Sequence, residues 1–326
     1  MAFRQLLERL ADGQFHSGEE LGELLGVSRA AVWKQLQKLQ ELIDLPLESV
    51  KGRGYRLSES LELLDAVSIV NAVSVHAQPL LSELKLLDQI DSTNRFAMSE
   101  AQAGAGRGYV VAAEQQTAGR GRRGRTWVSP FARNIYCSAV WEFDGGAAAL
   151  EGLSLAVGVA TARAMATLGL SGVGLKWPND VVWNGSKLAG ILIEMTGDAA
   201  GRCQVIVGIG INVSMAGSQA AESIGQAWVD VQSALGQRVS RNKLLGGLLS
   251  ELLPALALFE RQGFSAFQDS WASLDNMIGK QVSVHLGEQV ILGAAAGVDK
   301  SGALLLDTPT GQQVFHGGEV SLRLQN

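Results

Sequence analysis

The chain has 326 residues, of which 47% are hydrophobic and 18% are charged, so it can form two or three globular domains with ample core. The net charge of −5 excludes a protein that binds nucleic acid over its whole surface. The longest apolar stretch, residues 147–168, contains Glu151 and Arg163 and is interpreted as a buried helix. The start of the chain has no signal-peptide pattern. We therefore expect a cytoplasmic protein without a membrane segment.

Residues 1–58 show three helical patterns followed by two short strand patterns, which is typical of a winged helix-turn-helix. Ser17 and Ser28 each stand directly before an amphipathic segment and are the expected helix N-caps. The sequence KGRGYRL, which begins at Lys51, places two glycines at the turn between the two short strands. It predicts the wing.

The eight basic and eight acidic residues of this segment cancel in net charge, but they are segregated. Six of the basic residues lie on the third helix and the wing, whereas three glutamates lie on the second helix. This distribution favours a recognition helix in the major groove and a wing on the DNA backbone. The predicted DNA contacts are Ser28, Arg29, Lys34, Lys38, Lys51 and Arg53. The alternative is a small helical module that binds protein.

The rest of the chain divides into three further parts. Residues 59–83 are expected to connect the winged helix to the next domain, mainly through a helix that begins at about Leu61. Residues 84–272 alternate strand and helix patterns, which predicts a central α/β domain. Residues 273–326 change to short strands with glycine turns, which predicts a small SH3-like β-barrel. The fold class is therefore a multidomain α+β chain.

The segment GRGRRGR, Gly119–Arg125, which we call the Arg loop, places four arginines among three glycines. Glycine lets a backbone approach a ligand closely, and arginine binds phosphate and carboxylate oxygens. Such a loop suits a reaction in which two anions meet, such as a carboxylate attacking the α-phosphate of ATP. The alternative is a solvated segment that binds nucleic acid nonspecifically. The flanking core strands predicted at residues 109–116 and 134–143 argue against it.

The segment EQQTAGRGRRGRTWVSP, which begins at Glu114, resembles the signature of the biotin protein ligases. Four further motifs have the family's order and spacing: DSTN at 91–94, KWPND at 176–180, KLAGILIE at 187–194 and GIGIN at 208–212. The segments GVSRAAVWKQLQ and KGRGYRL are similar to the N-terminal part of the bifunctional members, which also repress transcription of the biotin operon. The resemblance covers essentially the whole chain.

The resemblance implies that the carboxylate of biotin attacks ATP to give biotinyl-5′-adenylate and pyrophosphate, with Mg²⁺ on the triphosphate. Biotin then passes to a lysine of the biotin carboxyl carrier protein of acetyl-CoA carboxylase. The second implied partner is operator DNA, with the adenylate as corepressor and a homodimer promoted by the ligand. Two alternatives stay open, a lipoate or octanoate ligase-like enzyme and a biotin-sensing regulator without catalytic activity.

The resemblance also implies roles for individual residues. Those implied to bind biotin are Ser92, Thr93, Asn94, Gln116, Arg120, Gly121, Arg122 and Lys187. Those implied to bind the nucleotide are Arg125, Trp127, Lys176, Asn179 and Asn212. The catalytic residues are expected to be Lys187, Arg122 and Asp180, of which the last would orient the lysine.

Three further expectations come from the residue types. Gly208 and Gly210 are expected to permit close approach of the ligand, and the loop at 214–228 to close over the product. Cys137 and Cys203 lie in apolar runs and are expected to be buried, reduced thiols. No metal-ligand pattern appears in the sequence.

Overall fold

The computed structural model describes residues 2–42, 46–197, 201–317 and 320–324. The N-terminal part contains three helices followed by a two-stranded antiparallel hairpin. Its elements are α1 (Ala2–Leu10), α2 (Gly18–Leu25), α3 (Arg29–Leu42), β1 (Leu47–Val50) and β2 (Gly54–Leu57). This is the winged helix-turn-helix that the sequence predicts.

The boundaries of these helices follow from their capping residues. The hydroxyls of Ser17 and Ser28 each accept a hydrogen bond from the backbone N–H three residues further on, at 3.0 and 3.3 Å. Gly26 ends α2 with a left-handed φ of 65°. The apolar face of α3 is fully buried in the N-terminal core through Val32, Leu36 and Leu39.

The connecting helix begins later than the sequence predicts. α4 spans Ala66–Ala72 rather than starting near Leu61, because Asp65 is its N-cap and accepts from the backbone N–H of Ser68 at 2.8 Å. The preceding residues bond instead to the central part of the chain. The backbone N–H of Leu64, for example, donates to Glu114 at 2.5 Å.

The central part is built on a seven-stranded sheet. Its strands are β3 (Glu83–Ile90), β4 (Tyr109–Gln116), β5 (Ile135–Phe143), β6 (Val173–Lys176), β7 (Asp180–Trp183), β8 (Ser186–Gly197) and β9 (Cys203–Ile211). The order across the sheet is β3-β4-β5-β9-β8-β7-β6. β3 and β4 pair in parallel, and the other neighbouring pairs are antiparallel. Tight turns connect β6 to β7 and β7 to β8, so these neighbouring strands run antiparallel. Asn184 and Gly185 form the second turn, with φ of 47° and 78°.

Helices cover this sheet. They are α5 (Thr93–Gln102), α6 (Leu153–Thr167), α7 (Val231–Leu235), α8 (Arg241–Gln262) and α9 (Gln268–Leu274). Two segments, Gly146–Thr167 and Arg241–Gln262, have the length and apolar composition of a helix that could cross a membrane. In each, however, 61% of the most apolar 18-residue window is buried inside the protein. α6 and α8 pack on each other in the main hydrophobic core, which is the behaviour of core helices.

The C-terminal part is a five-stranded antiparallel sheet in the order β13-β12-β11-β10-β14, where the numbers follow chain order. The strands are β10 (Gln281–Leu286), β11 (Gln289–Val298), β12 (Leu304–Thr308), β13 (Gly311–Phe315) and β14 (Val320–Leu324). These short strands match the small SH3-like unit predicted from the sequence. Its apolar residues join the main core, so the sheet packs on the central part.

A buried ion pair within the central part also bonds to the connecting segment. Arg241, at the start of α8, lies 2.8 Å from Glu114 on β4, and their side chains are only 3% and 1% exposed. The guanidinium also donates to the backbone carbonyls of Asn134 and Glu62. Because both charges are removed from water, each depends on the other for its stabilisation.

Replacing Glu114 with alanine is expected to destabilise the protein by about 3–5 kcal/mol, because Arg241 would stay buried without its counter-charge. The measurement is urea unfolding of the full chain. The control is Glu142→Ala, which breaks a pair with Arg202, a side chain that is 70% exposed. That change is expected to cost about 1 kcal/mol or less. Equal small losses for both variants would contradict a structural role for the buried pair.

Candidate functional site

Two cavities meet beside the Arg loop and strand β8. The first lies between the N-terminus of α5, the loop and strands β8 and β9. All eight residues implied to bind biotin line this first cavity: Ser92, Thr93, Asn94, Gln116, Arg120, Gly121, Arg122 and Lys187. We call it the small cavity. The structure therefore brings together residues that stand nearly a hundred positions apart in the sequence.

The second cavity encloses about 850 Å³ and reaches the C-terminal part of the chain. Its lining includes all five residues implied to bind the nucleotide: Arg125, Trp127, Lys176, Asn179 and Asn212. We call it the large cavity. Arg122, Lys187 and Asn179 line both cavities, so they stand at the junction of the two. A carboxylate in the small cavity and a phosphate in the large one would meet there.

The Arg loop has a defined backbone conformation. An isolated antiparallel β-bridge pairs Arg120 with Thr126, and the backbone N–H of Trp127 donates to the carbonyl of Gly119 at 2.9 Å. Within the loop, Arg123 has a left-handed φ of 58°. This conformation is uncommon for a side chain other than glycine and lets the loop reverse sharply.

The cations at the junction are held by neighbouring acceptors. The ammonium of Lys187 lies 2.6 Å from the carboxylate of Asp180 and 5.4 Å from the centre of the Trp127 ring. The expected contact between the lysine and the aspartate is present. Arg122 donates to the side-chain oxygen of Asn179 at 3.1 Å. Burial lowers the pKa of the Arg122 guanidinium, but the group keeps its charge at any physiological pH.

Lys176 lines the large cavity at the end of β6. Burial lowers the pKa of its ammonium, and this effect outweighs the opposing attraction of Asp180. Arg323 lies on β14 and lines the same cavity, so the C-terminal part also contributes positive charge. The sequence analysis did not identify Arg323, because it stands more than a hundred residues beyond the motifs.

The N-terminus of α5 presents its polar groups to the small cavity. Ser92 is the N-cap of α5. The backbone N–H and the hydroxyl of Thr93 both donate to the side-chain oxygen of Gln116, at 2.8 and 3.0 Å. The amide of Gln116 in turn donates to Ser129 at 3.2 Å. These bonds fix two walls of the small cavity relative to each other.

The two glycines of β9, Gly208 and Gly210, line the small cavity and also contact side chains of the site. A Cβ atom on Gly208 would lie 2.1 Å from the side-chain oxygen of Asn94, and one on Gly210 would lie 2.5 Å from the indole of Trp127. The glycines therefore make room for side chains of the site itself. That they also permit close approach of a ligand stays a prediction.

Trp127 carries the clearest unused hydrogen-bond donor of the site. Its indole N–H is buried and has no hydrogen-bond partner among the residues that the structure describes, although Trp127 lines both cavities. A buried donor without a partner is costly unless a ligand or water accepts from it. Trp228 also lines the large cavity, beside the backbone of Lys187. The sequence analysis assigned it only to the loop at 214–228.

Asn212 has structural partners of its own. Its amide nitrogen lies 3.3 Å from the carbonyls of both Lys187 and Val229, so it ties the end of the 214–228 loop to β8.

Cys137 and Cys203 are buried and unpaired, as expected. Burial raises the pKa of the Cys137 thiol to about 12, so it stays protonated. Among the described residues, no group of three or more His, Cys, Asp or Glu could hold a metal ion.

The predicted DNA-contacting residues are exposed on α3 and the wing. They are Ser28, Arg29, Lys34, Lys38, Lys51 and Arg53. The guanidinium of Arg53 stacks 4.1 Å from the ring centre of Phe15, which orients it on the wing. Trp33 is 52% exposed on the same helix, beside Lys34. The sequence analysis did not single out this tryptophan.

Comparison with known families assigns three parts of the chain. Residues 4–56 match an HTH domain, residues 86–212 match the Biotin/lipoate A/B protein ligase family, and residues 277–323 match the Biotin protein ligase C terminal domain. The middle match contains the Arg loop and most of the residues that line the two cavities. Each match falls in a separate part of the fold described above.

Among characterised proteins, the chain is 42% identical to the bifunctional ligase/repressor BirA of Salmonella typhimurium, over 98% of this chain and 96% of that protein. It is 41% identical to the BirA of Escherichia coli over the same shares. The biotin--[acetyl-CoA-carboxylase] ligase of Paracoccus denitrificans is 37% identical over 72% of this chain and 98% of its own length.

A solved structure agrees with these relatives. The biotin protein ligase from Aquifex aeolicus in complex with biotin and ATP is 29% identical, with a TM-score of 0.66. It covers 75% of this chain and 100% of its own. Because the similarity to the two BirA proteins extends over nearly the full length of all three chains, the chain belongs to the family of bifunctional biotin ligase/repressors.

Proposed function

We propose that this chain is an ATP-dependent biotin protein ligase that also represses transcription of biotin synthesis genes. The observation that carries the ligase proposal is the junction of the two cavities at Arg122, Asn179 and Lys187. Biotin would occupy the small cavity and ATP the large one. The family membership and the Aquifex aeolicus ligase, whose structure contains biotin and ATP, support this division.

In the first step, a carboxylate oxygen of biotin attacks the α-phosphorus of ATP and pyrophosphate leaves. Both reactants are anions, so the positive charge of Lys187 and Arg122 reduces their repulsion and stabilises the charge of the transition state. Asp180 and Asn179 hold these two cations in place before the substrates bind. The indole N–H of Trp127 has a position from which it could donate to the ligand.

We infer that Mg²⁺ accompanies the triphosphate. Among the residues that line the large cavity, Asp180 is the single carboxylate, and Lys187 already pairs with it. This donor set fits a magnesium ion that arrives with ATP and is held mainly by phosphate and water. Bound there, it would neutralise charge on the triphosphate, while the protein contributes Lys176 and Arg125.

In the second step, a lysine amine of an acceptor protein attacks the carbonyl carbon of the mixed anhydride and AMP leaves. The proposed acceptor is the biotin carboxyl carrier protein of acetyl-CoA carboxylase, as the activity for which the Paracoccus denitrificans relative is named suggests. The Arg loop and the loop at 214–228 border the large cavity and would shield the adenylate from water until the acceptor arrives.

We further propose the division into residues 1–58, 59–83, 84–272 and 273–326, a cytoplasmic location, and a homodimer promoted by the adenylate. The exposed basic residues of α3 and the wing support binding of operator DNA by the first part. A single recognition helix rarely supplies enough affinity, and dimers that read two half-sites are the usual solution.

Pyrophosphate release tests the ligase proposal. The wild-type chain is expected to release pyrophosphate only when both biotin and ATP are present. A lipoate or octanoate ligase would respond to those acids instead, and a regulator without catalytic activity would respond to none.

Replacing Lys187 with alanine is expected to lower this rate by ~10²-fold or more, because the reaction centre loses a neutralising charge. The control is Lys85→Ala, an exposed lysine on β3, which is expected to keep the wild-type rate. Wild-type activity in folded Lys187→Ala protein would place this lysine outside the mechanism.

The lowered pKa of Lys176 predicts a pH dependence. The ammonium attracts the triphosphate only while it is protonated, and burial makes it lose its proton at a lower pH than an exposed lysine, whose pKa is about 10.4. The KM for ATP is therefore expected to rise in the alkaline range before that pH is reached. Lys176→Arg should flatten the rise, because arginine keeps its charge. Identical ATP profiles for both proteins would contradict this role, and the KM for biotin serves as the internal control.

The regulatory proposal predicts reciprocal coupling. A non-hydrolysable analogue of the adenylate is expected to promote dimerisation in sedimentation equilibrium. It should also tighten binding to duplex DNA selected by the wild-type protein, by about 1–3 kcal/mol at fixed salt. Lys38→Ala is the control, because it should weaken DNA binding while leaving the dimerisation unchanged. If the analogue changes neither dimerisation nor DNA affinity, the corepressor proposal is wrong.

A further inference from the structure

Glu194, on β8, connects the Arg loop to the start of α5. One oxygen of its carboxylate accepts from Arg120 at 3.0 Å and from the side-chain amide of Asn94 at 2.7 Å. The side chains of Glu194 and Arg120 are 24% and 39% exposed, so the pair is partly buried, and Arg120 lines the small cavity.

The amide of Asn94 is largely occupied by the protein. Its nitrogen donates to the carbonyl of Leu192 as well as to Glu194, and its oxygen accepts from the hydroxyl of Ser138 at 2.6 Å. The bare Cα of Gly208 lies directly against it. Asn94 is only 4% exposed, so it has little freedom to turn towards a ligand. The fixed amide of Asn94 therefore holds the carboxylate of Glu194 in place.

The same hydrogen bonds continue round the other side of the small cavity. The hydroxyl of Ser138 lies 2.8 Å from that of Thr93, which bonds to Gln116. Gln116 bonds to Ser129, whose hydroxyl donates to the carbonyl of Trp127 at 2.9 Å. The path therefore begins at Arg120 in the Arg loop and returns to the chain just after that loop. Glu194 is the carboxylate that closes this ring.

The small cavity is tight in this arrangement. It offers the centres of water molecules about 50 Å³, while a single water needs ~10–15 Å³ on that scale. A bicyclic ring needs more room, so a wall must move aside when it enters. The neighbouring wall at Asn94 is buried and fixed, whereas Arg120 is the more exposed partner of an ion pair. Arg120 is therefore the side chain that can swing out and return.

We propose that Glu194 is a positioning residue that draws Arg120 back across the mouth of the small cavity, so that the Arg loop closes over biotin and retains the adenylate. The proposal rests on the proposed ligase function, because it assigns the small cavity to biotin. Glu194 does not touch the reacting atoms, and it acts through the loop. Its loss should therefore affect biotin capture and adenylate retention, and it should spare the chemical step.

The test is Glu194→Gln in the full chain. Glutamine keeps an oxygen that can accept from Asn94, but it removes the charge that attracts Arg120. We expect the KM for biotin and the rate of adenylate loss in the absence of acceptor each to rise by about five- to tenfold, since the pair is partly exposed and the net contribution of an ordinary hydrogen bond is on this scale. The maximal rate of pyrophosphate release and the KM for ATP should stay within about twofold of wild type, because the chemical step is spared.

The double variant Glu194→Gln with Arg120→Ala gives the sharpest readout. If the glutamate acts through the arginine, the double variant should resemble Arg120→Ala alone in both measurements. The matched control is Glu142→Gln. Glu142 is a 21% exposed glutamate on β5 that pairs with Arg202 at 2.5 Å, and the change should leave all four parameters unaltered.

The outcomes separate this proposal from the proposed function. Unchanged biotin KM and adenylate loss in Glu194→Gln, or additive effects in the double variant, would overturn the positioning role while wild-type pyrophosphate release still supported the ligase. No biotin-dependent pyrophosphate release by the wild type would instead refute the ligase proposal. If Glu194→Gln does not fold, Arg120→Ala on its own must raise adenylate loss, and an unchanged rate there overturns the proposal.

Discussion

The ion pair of Lys187 and Asp180 defines the site, because it places a fixed ammonium where the two cavities meet. A site that joins two anions has to concentrate positive charge before either substrate arrives, and closely spaced cations repel each other. Here the two cations at the junction of the cavities each have an acceptor. Lys187 has Asp180 and Arg122 has Asn179, at 2.6 and 3.1 Å. The positive charge is thus oriented in advance, which is the form of electrostatic stabilisation that needs no rearrangement during the reaction.

Glycines in β9 make this arrangement compact. Without side chains, Gly208 and Gly210 let Asn94 and Trp127 lie directly on the strand. The side chains of the site therefore rest on sheet backbone, which is a rigid support for groups that must be held accurately. The cost is a loss of side-chain packing within the strand, and the antiparallel pairing of β9 with both β5 and β8 offsets it.

Much of this organisation is readable from the sequence, and the parts that are not have physical reasons. The wing, the caps at Ser17 and Ser28, and the strands that flank the Arg loop follow local rules of capping and periodicity. The predicted start of α4 was wrong by five residues, because a tertiary hydrogen bond to Glu114 holds the preceding backbone out of a helix. A local pattern cannot reveal such a distant partner.

The site divides in the same way. The motifs identify the residues that line the two cavities, because those residues cluster in short segments with unusual composition. The supporting contacts come from ordinary residue types at distant positions. Ser138 lies within an apolar strand and Arg323 near the end of the chain, so neither carries a local signal. Glu194 stands in a recognised motif, but its partners become apparent only when β8 lies beside the Arg loop.

One short segment, residues 129–133, links the ligand site to the DNA-binding part. Ser129 bonds to Gln116 in the small cavity, and two residues later Phe131 packs in the core of the winged helix. Arg133 then pairs with Glu59, where the connecting segment begins. The left-handed φ of 52° at Ala132 gives this segment a tight bend, which is uncommon for alanine.

Coupling between two sites requires that both bias the same structural element. The segment from Ser129 to Arg133 meets that requirement geometrically, because one of its ends bonds to a wall of the small cavity and its middle is part of the N-terminal core. The Arg loop is bonded to this segment, since Trp127 bonds to both Ser129 and Gly119. The two functions of the chain therefore share a covalent and hydrogen-bonded connection only a few residues long.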